Sequence, residues 1–107
     1  MAQIVDVAEG SFEAEVIKSD LPVLLEFWAP WSAPSKQIAE ILKAIAEEYE
    51  DRAKIAMLNT DDWPGAQAKF AVRSIPTLTL YKNGNAEATK AGIMSKAQVQ
   101  AFISTAL

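Results

Sequence analysis

Cysteine and histidine are both absent from this chain of 107 residues. Without cysteine there is no disulfide and no thiolate nucleophile. Without histidine there is no imidazole base, and the two missing residue types together exclude the usual zinc ligand sets. The composition therefore excludes thiol chemistry and removes the usual partner of a serine nucleophile, and we expect neither a metal nor a cofactor.

Strong charge of one sign and long apolar runs are also missing. The formal net charge is −4 with acids and bases interspersed, which disfavours nucleic acid because phosphate binding needs a basic face. The longest apolar stretch, residues 21–31, contains Glu26 and Pro30 and is too short to span a bilayer. No basic and apolar leader follows Met1. We expect one domain over residues 1–107, cytoplasmic and monomeric, without a membrane partner.

Hydrophobic periodicity alternates between strand and helix signals along the chain. The pattern predicts strands near residues 4–7, 23–28, 53–58, 77–81 and 86–91, and helices near residues 12–18, 34–49, 64–70 and 95–106. The order is strand, helix, strand, helix, strand, helix, strand, strand, helix. Two βαβ units followed by a hairpin indicate an α/β protein, with a mixed sheet and helices on both of its faces.

Four local signals place the ends of these elements. Ser11 is the predicted N-cap of the first helix, and Pro64 is predicted near the first turn of the third helix. Asn83–Gly84 is a strong signal for a tight hairpin, and Ser95–Gln98 has the form of a capping box at the start of the last helix.

The segment Phe27–Lys36, with the sequence FWAPWSAPSK, resembles the thioredoxin motif FWAxWCGPCK. Ser32 and Ser35 stand at the two cysteine positions, and Ala33 stands at the glycine between them. The resemblance continues over the whole chain, including Ile75-Pro76-Thr77, Lys82-Asn83-Gly84 and Ala91-Gly92. This many landmarks in register identify the chain as a member of the thioredoxin-fold class.

The resemblance implies a thioredoxin fold, in which a five-stranded mixed sheet of order 1-3-2-4-5 is flanked by four helices. It places residues 32–35 at the N-terminus of the second helix and implies a cis peptide bond before Pro76. It further implies a groove formed by Trp31, Ile75, Pro76 and Gly92, which in thioredoxins receives an extended segment of a partner protein. Ile93 would enlarge the apolar rim of this groove.

In thioredoxins the first cysteine attacks a disulfide as a thiolate and the second resolves the mixed disulfide. A serine hydroxyl is not ionised near pH 7 and forms no stable bond to sulfur, so the exchange is blocked at both positions. By the resemblance, Trp31, the segment 32–35 (Ser32, Ala33, Pro34 and Ser35) and the buried acid Glu26 are vestigial parts of a redox site.

Several residues have a catalytic or binding interpretation beside a structural one. The two serines could be a nucleophile pair, but without a base we interpret them as helix-capping residues. Glu26 could be an acid of raised pKa, or an inherited buried acid. Asp61 and Asp62 could bind a hard cation, although two acids supply too few ligands and a helix start favours acids in any case.

The three tryptophans are interpreted separately. Trp28 is expected in the core at the end of its strand. One face of the Trp31 ring is expected to be exposed beside the loop, and for this residue a structural role and a peptide-binding role are equally favoured. For Trp63, packing on the third helix and exposure to solvent both remain open.

Three hypotheses on function follow. The first is an engineered or designed, redox-inactive scaffold. It rests on the complete loss of cysteine and on three departures from the family pattern, in which Glu26 replaces an aspartate, Met57 a lysine and Glu40 a proline. The second is a non-catalytic module that binds extended peptide segments in the groove. The third is a variant classed under the disulfide oxidoreductase and electron-transport activity of its thioredoxin parent, although this chain lacks the residues for it.

Overall fold

The computed structural model describes residues 4–107 and builds them around a five-stranded sheet. Met1–Gln3, where the sequence predicts no leader, lie outside the described residues. The strands are β1 (Ile4–Val7), β2 (Val23–Trp28), β3 (Lys54–Asn59), β4 (Thr77–Lys82) and β5 (Asn85–Ala91). Their order is β1-β3-β2-β4-β5. Strand β3 pairs in parallel with β1 and β2, and β4 pairs antiparallel with both β2 and β5. The mixed sheet and its order are confirmed.

Within residues 4–107, four helices accompany the sheet, as the resemblance implies. The first is a π-helix (Glu13–Ile17), and the others are α1 (Ala33–Glu48), α2 (Ala66–Lys69) and α3 (Lys96–Ser104). No helix within residues 4–107 is both long enough and apolar enough to cross a membrane.

The two faces of the sheet carry separate hydrophobic cores. Alternate residues of a strand point to opposite faces, so Leu24 packs with α1 and α3 while Leu25 and Phe27 pack with the π-helix and α2. Every residue of β2 except Trp28 is buried, which explains why this strand has a near-continuous apolar sequence. Glu26 is the exception to that composition, and it lies at the centre of the sheet.

The predicted cap of the first helix is wrong, and the third helix begins two residues later than predicted. The hydroxyl of Ser11 does not cap the first helix. It accepts a hydrogen bond from the Ala8 N–H at 3.1 Å, and the helix itself closes from Lys18 N–H to Glu13 C=O, five residues back. In the third helix, Pro64 precedes the first turn, because the chain first passes through Gly65 at a φ of 95° and the helix then begins at Ala66.

Other local predictions are confirmed. Asn83 and Gly84 have φ angles of 54° and 81°, the left-handed pair that a tight hairpin requires. Ser95 and Gln98 form both hydrogen bonds of the capping box, at 2.8 and 3.1 Å. The Ile75–Pro76 peptide bond is cis.

Trp63 is buried in an aromatic cluster, which decides between the two possibilities left open above. Its ring lies 5.9 Å from that of Phe12 and 5.4 Å from that of Phe70, both with edge-on geometry. Tyr81 on β4 completes the group through Phe12, at 5.8 Å. The cluster fastens the π-helix and the α2 region to one face of the sheet.

Candidate functional site

The N-terminus of α1 forms the centre of the candidate site, as predicted for residues 32–35. Ser32 has extended backbone angles (φ −101°, ψ 103°), and its Oγ accepts the N–H of Ser35 at 3.2 Å. Pro34 lies in the first turn, where its missing N–H leaves no unsatisfied donor. Ser32 is therefore the N-cap of α1, which agrees with the structural interpretation of this serine.

Ser35 is fully buried, and its hydroxyl is held by the backbone. Its Oγ lies 2.8 Å from the carbonyl of Ser32 and 3.1 Å from that of Ala29, and it also accepts the Ala29 N–H at 3.4 Å. All of these partners are main-chain groups of the loop between β2 and α1. The hydroxyl thus stabilises the loop that carries it.

Neither hydroxyl is arranged as a nucleophile. Within residues 4–107, no titratable side chain forms a hydrogen bond to the Oγ of Ser32 or Ser35, and Lys36 is exposed. A serine nucleophile needs a base within hydrogen-bond reach, and no such base is present. Because the chain also has no cysteine, it has no dithiol redox chemistry.

Three loops meet beside the two serines. The Oγ of Ser32 lies 3.5 Å from the carbonyl oxygen of Ile75, and the N–H of Gly92 donates to the carbonyl of Pro76 at 2.9 Å. Pro76 is buried, whereas Ile75 is half-buried. The structure therefore brings the cap of α1, the cis-proline turn and the end of β5 together. Gly92, with a φ of 95°, lets the chain leave β5 at this point.

Two large apolar side chains stand exposed on these loops. Trp31 is 68% exposed and Ile93 is 64% exposed. The indole Nε1 of Trp31 donates to Oδ1 of Asp61 at 3.2 Å, which fixes the ring although most of it faces solvent. The sequence offers for Asp61 a cation site or a helix start but not this contact, since the two residues lie thirty positions apart.

Asp61 and Asp62 follow β3 in a turn. The N–H of Asp61 donates to the side-chain oxygen of Asn59 at 2.9 Å, a local bond typical of residues that end a strand. Within residues 4–107, no group of three or more acidic side chains is placed to hold a metal ion.

Glu26 is completely buried in β2, the central strand of the sheet. It pairs with Met57 on β3 and with Leu78 on β4, and neither of its carboxyl oxygens has a hydrogen-bond partner among residues 4–107. Burial without a compensating partner disfavours the charged form and raises the pKa of Glu26 to about 8. No hydrogen bond joins it to Ser35, so the acid and the serine motif are separate in this structure.

The fold and the serine-substituted motif define a thioredoxin-fold protein without its redox pair, and comparison with known proteins agrees. The family described as Thioredoxin matches residues 3–105. A thioredoxin of Acidithiobacillus ferridurans is 50% identical over 104 residues, covering 97% of this chain and 96% of that protein. A thioredoxin of Pseudomonas aeruginosa is 47% identical over 100 residues, covering 94% and 93%. One of Haemophilus influenzae is 45% identical over 103 residues, covering 96% of each. The chain belongs to the thioredoxin family.

Proposed function

We propose that this protein is not an enzyme and that its groove holds an extended peptide segment without reacting with it. The observation that carries the proposal is the backbone of Ile75. Within residues 4–107, its N–H has no hydrogen-bond acceptor, and its carbonyl has only the long contact to Ser32 at 3.5 Å. A half-buried residue with both main-chain groups available is an edge to which an extended chain can pair.

The exposed side chains beside this backbone support the same proposal. Trp31 and Ile93 present apolar surface where a bound peptide would place its own side chains, and a fixed indole loses little entropy on binding. Affinity from so small a surface is low. Residence would be brief, because no mixed disulfide traps the partner.

Calorimetric titration with a ten-residue peptide, carrying apolar side chains at alternate positions and no cysteine, tests this function. Binding should saturate, and Trp31→Ala should weaken it by about fivefold or more, the usual cost of truncating a central aromatic residue. Leu21→Ala is the matched control, because Leu21 is another exposed apolar residue that no contact joins to the three loops. If both variants bind like the parent, the groove is not the site.

The second candidate is a redox-inactive scaffold, engineered for foldability and without any partner. The pairing of Glu26 with Met57 favours it, because an unpartnered buried acid beside a thioether serves neither binding nor catalysis. On this candidate the peptide titration gives no heat. On both candidates the chain leaves the reduction of a protein disulfide by dithiothreitol at its uncatalysed rate, and clear catalysis would contradict both.

A further inference from the structure

A cavity of about 250 Å³ opens at the edge of the sheet where the parallel strands end, apart from the groove described above. Asp6 and Met57 lie in the second halves of β1 and β3, while Trp28 ends β2 and Asn59 ends β3. Asp62, in the turn after β3, completes the wall. The carboxyl ends of parallel strands are where open α/β sheets commonly bind ligands.

The lining of this cavity combines apolar surface with unpaired negative charge. Trp28, which is half-buried, and Met57, which is buried, are among the lining residues and give the cavity its largest apolar side chains. Asp6 and Asp62 are exposed, and within residues 4–107 neither carboxylate has an ion-pair or hydrogen-bond partner. Anions are repelled by such a mouth. A cation with a short apolar body finds both of the surfaces it needs.

The polar atoms favour a primary ammonium over a quaternary one. A primary ammonium has three N–H donors, and three of the residues that line the cavity, Asp6, Asp62 and Asn59, carry side-chain oxygens that can accept them. The Asn59 oxygen accepts one hydrogen bond, from the Asp61 N–H, which leaves its second lone pair for a ligand. Five heavy atoms at about 30 Å³ each occupy about 150 Å³, so a butyl chain with its ammonium fits the space.

We propose that this cavity binds the ammonium group of a short primary alkylamine, with the alkyl chain against Trp28 and Met57 and the charge between Asp6 and Asp62. The free amine and the side chain of a lysine in a partner protein share this chemistry. The site is independent of the peptide groove, and it does not depend on the function proposed above.

The test is a titration of the ¹⁵N-labelled protein with n-butylammonium chloride, followed by amide and indole shifts. Saturable shifts should appear at residues 6–8, at residues 57–62 and at the indole N–H of Trp28. n-Butanol, of matched shape without charge, should give at least fivefold weaker binding. Nα-acetyl-lysine amide is the second arm: tighter binding than butylammonium assigns the site to a lysine side chain, and weaker binding assigns it to the free amine.

Matched variants separate a built site from general attraction to an acidic protein. Asp6→Asn and Asp62→Asn should each weaken butylammonium binding about two- to fivefold, as expected for partly exposed charges. Asp51→Asn makes the same charge change before β3, at the opposite end of that strand, and should have no effect. Met57→Lys places a tethered ammonium in the cavity and should abolish binding. Equal binding of butanol, unsaturable shifts, or equal effects of Asp51→Asn and Asp62→Asn would overturn the proposal.

Discussion

Replacing Glu26 with glutamine removes a titratable group from the centre of the sheet and keeps the size of the side chain. Glu26 is fully buried and its two oxygens have no partner within residues 4–107, so the amide loses no contact that the carboxyl had. The variant therefore isolates the free energy of placing an ionisable group there.

The magnitude follows from the two pKa values. The pKa rises from 4.5 in the unfolded chain to about 8 in the folded one. Between these values the folded chain keeps the proton and the unfolded chain releases it, so the free energy of unfolding falls as pH rises and levels off above pH 8. Below pH 4.5 both forms are protonated and the stability is fully present. At 1.36 kcal/mol per pH unit, the whole interval amounts to about 5 kcal/mol, of which about 3 is lost by pH 7.

That loss is large beside the total stability of a domain of this size, about 5–15 kcal/mol. Glu26→Gln should therefore match the parent near pH 4 and exceed its free energy of unfolding by about 3 kcal/mol at pH 7. Urea denaturation of both proteins at each pH from 4 to 9 measures the difference, and taking the difference cancels the titration of all other groups.

Glu48→Gln is the control, because the stability contributed by Glu48 should depend on pH in the opposite direction. Hydrogen bonds from Lys96 and Gln100 hold the pKa of Glu48 below its ordinary value, so any stability it contributes is lost as pH falls. The reasoning fails if the difference between Glu26→Gln and the parent stays constant from pH 4 to 8. It also fails if Glu26→Gln is destabilised at pH 7, because the carboxylate would then have a favourable partner.

Three further substitutions have definite expected outcomes. Replacing both Ser32 and Ser35 by cysteine should give an intramolecular disulfide, because residues three apart in a first helical turn lie about 5–6 Å apart at Cα. Some exchange activity should then appear in a dithiothreitol-driven reduction assay. A folded variant with two free thiols after oxidation would contradict the loop geometry. Ser95→Ala should lower the free energy of unfolding by about 1 kcal/mol through loss of the capping box, as measured by urea denaturation, and an unchanged midpoint would show that α3 needs no cap. Gly84→Ala should lower the midpoint of thermal unfolding more than Gly65→Ala. Both glycines have positive φ, but only at Gly84 would an added Cβ lie 3.0 Å from the Ile17 carbonyl oxygen. Equal decreases would mean that the positive φ alone accounts for the destabilisation.

The strands, the hairpin and the start of the last helix could be predicted from the sequence because their signals are local. The apolar run of β2, the Asn83–Gly84 pair of the hairpin and the Ser95 capping box each depend on neighbours in the chain. The first helix shows the limit of such signals. Phe12 and Val16 are buried at a spacing that suits an α-helix, and over so few residues this pattern cannot distinguish hydrogen bonds to the fourth residue from bonds to the fifth.

In the candidate site, too, local features could be predicted from the sequence and contacts between distant segments could not. The cap of α1 could be predicted, because a serine followed by a proline within one helical turn is a local pattern. The contact between Trp31 and Asp61 and the burial of Trp63 depend on distant segments that the fold brings together. No period or propensity in the sequence reports such partners, so the sequence predicts neither the contact of Asp61 nor the environment of Trp63.

The three tryptophans occupy three different environments. Trp63 is 7% exposed within an aromatic cluster, Trp28 is half-buried in the cavity wall, and Trp31 is 68% exposed at the groove. Indole emission shifts to longer wavelength as water reaches the ring, so each tryptophan reports on a separate event by its colour. Single-tryptophan variants would thus follow unfolding at Trp63, cavity filling at Trp28 and groove occupancy at Trp31, with no thiol or imidazole in the chain to quench the emission.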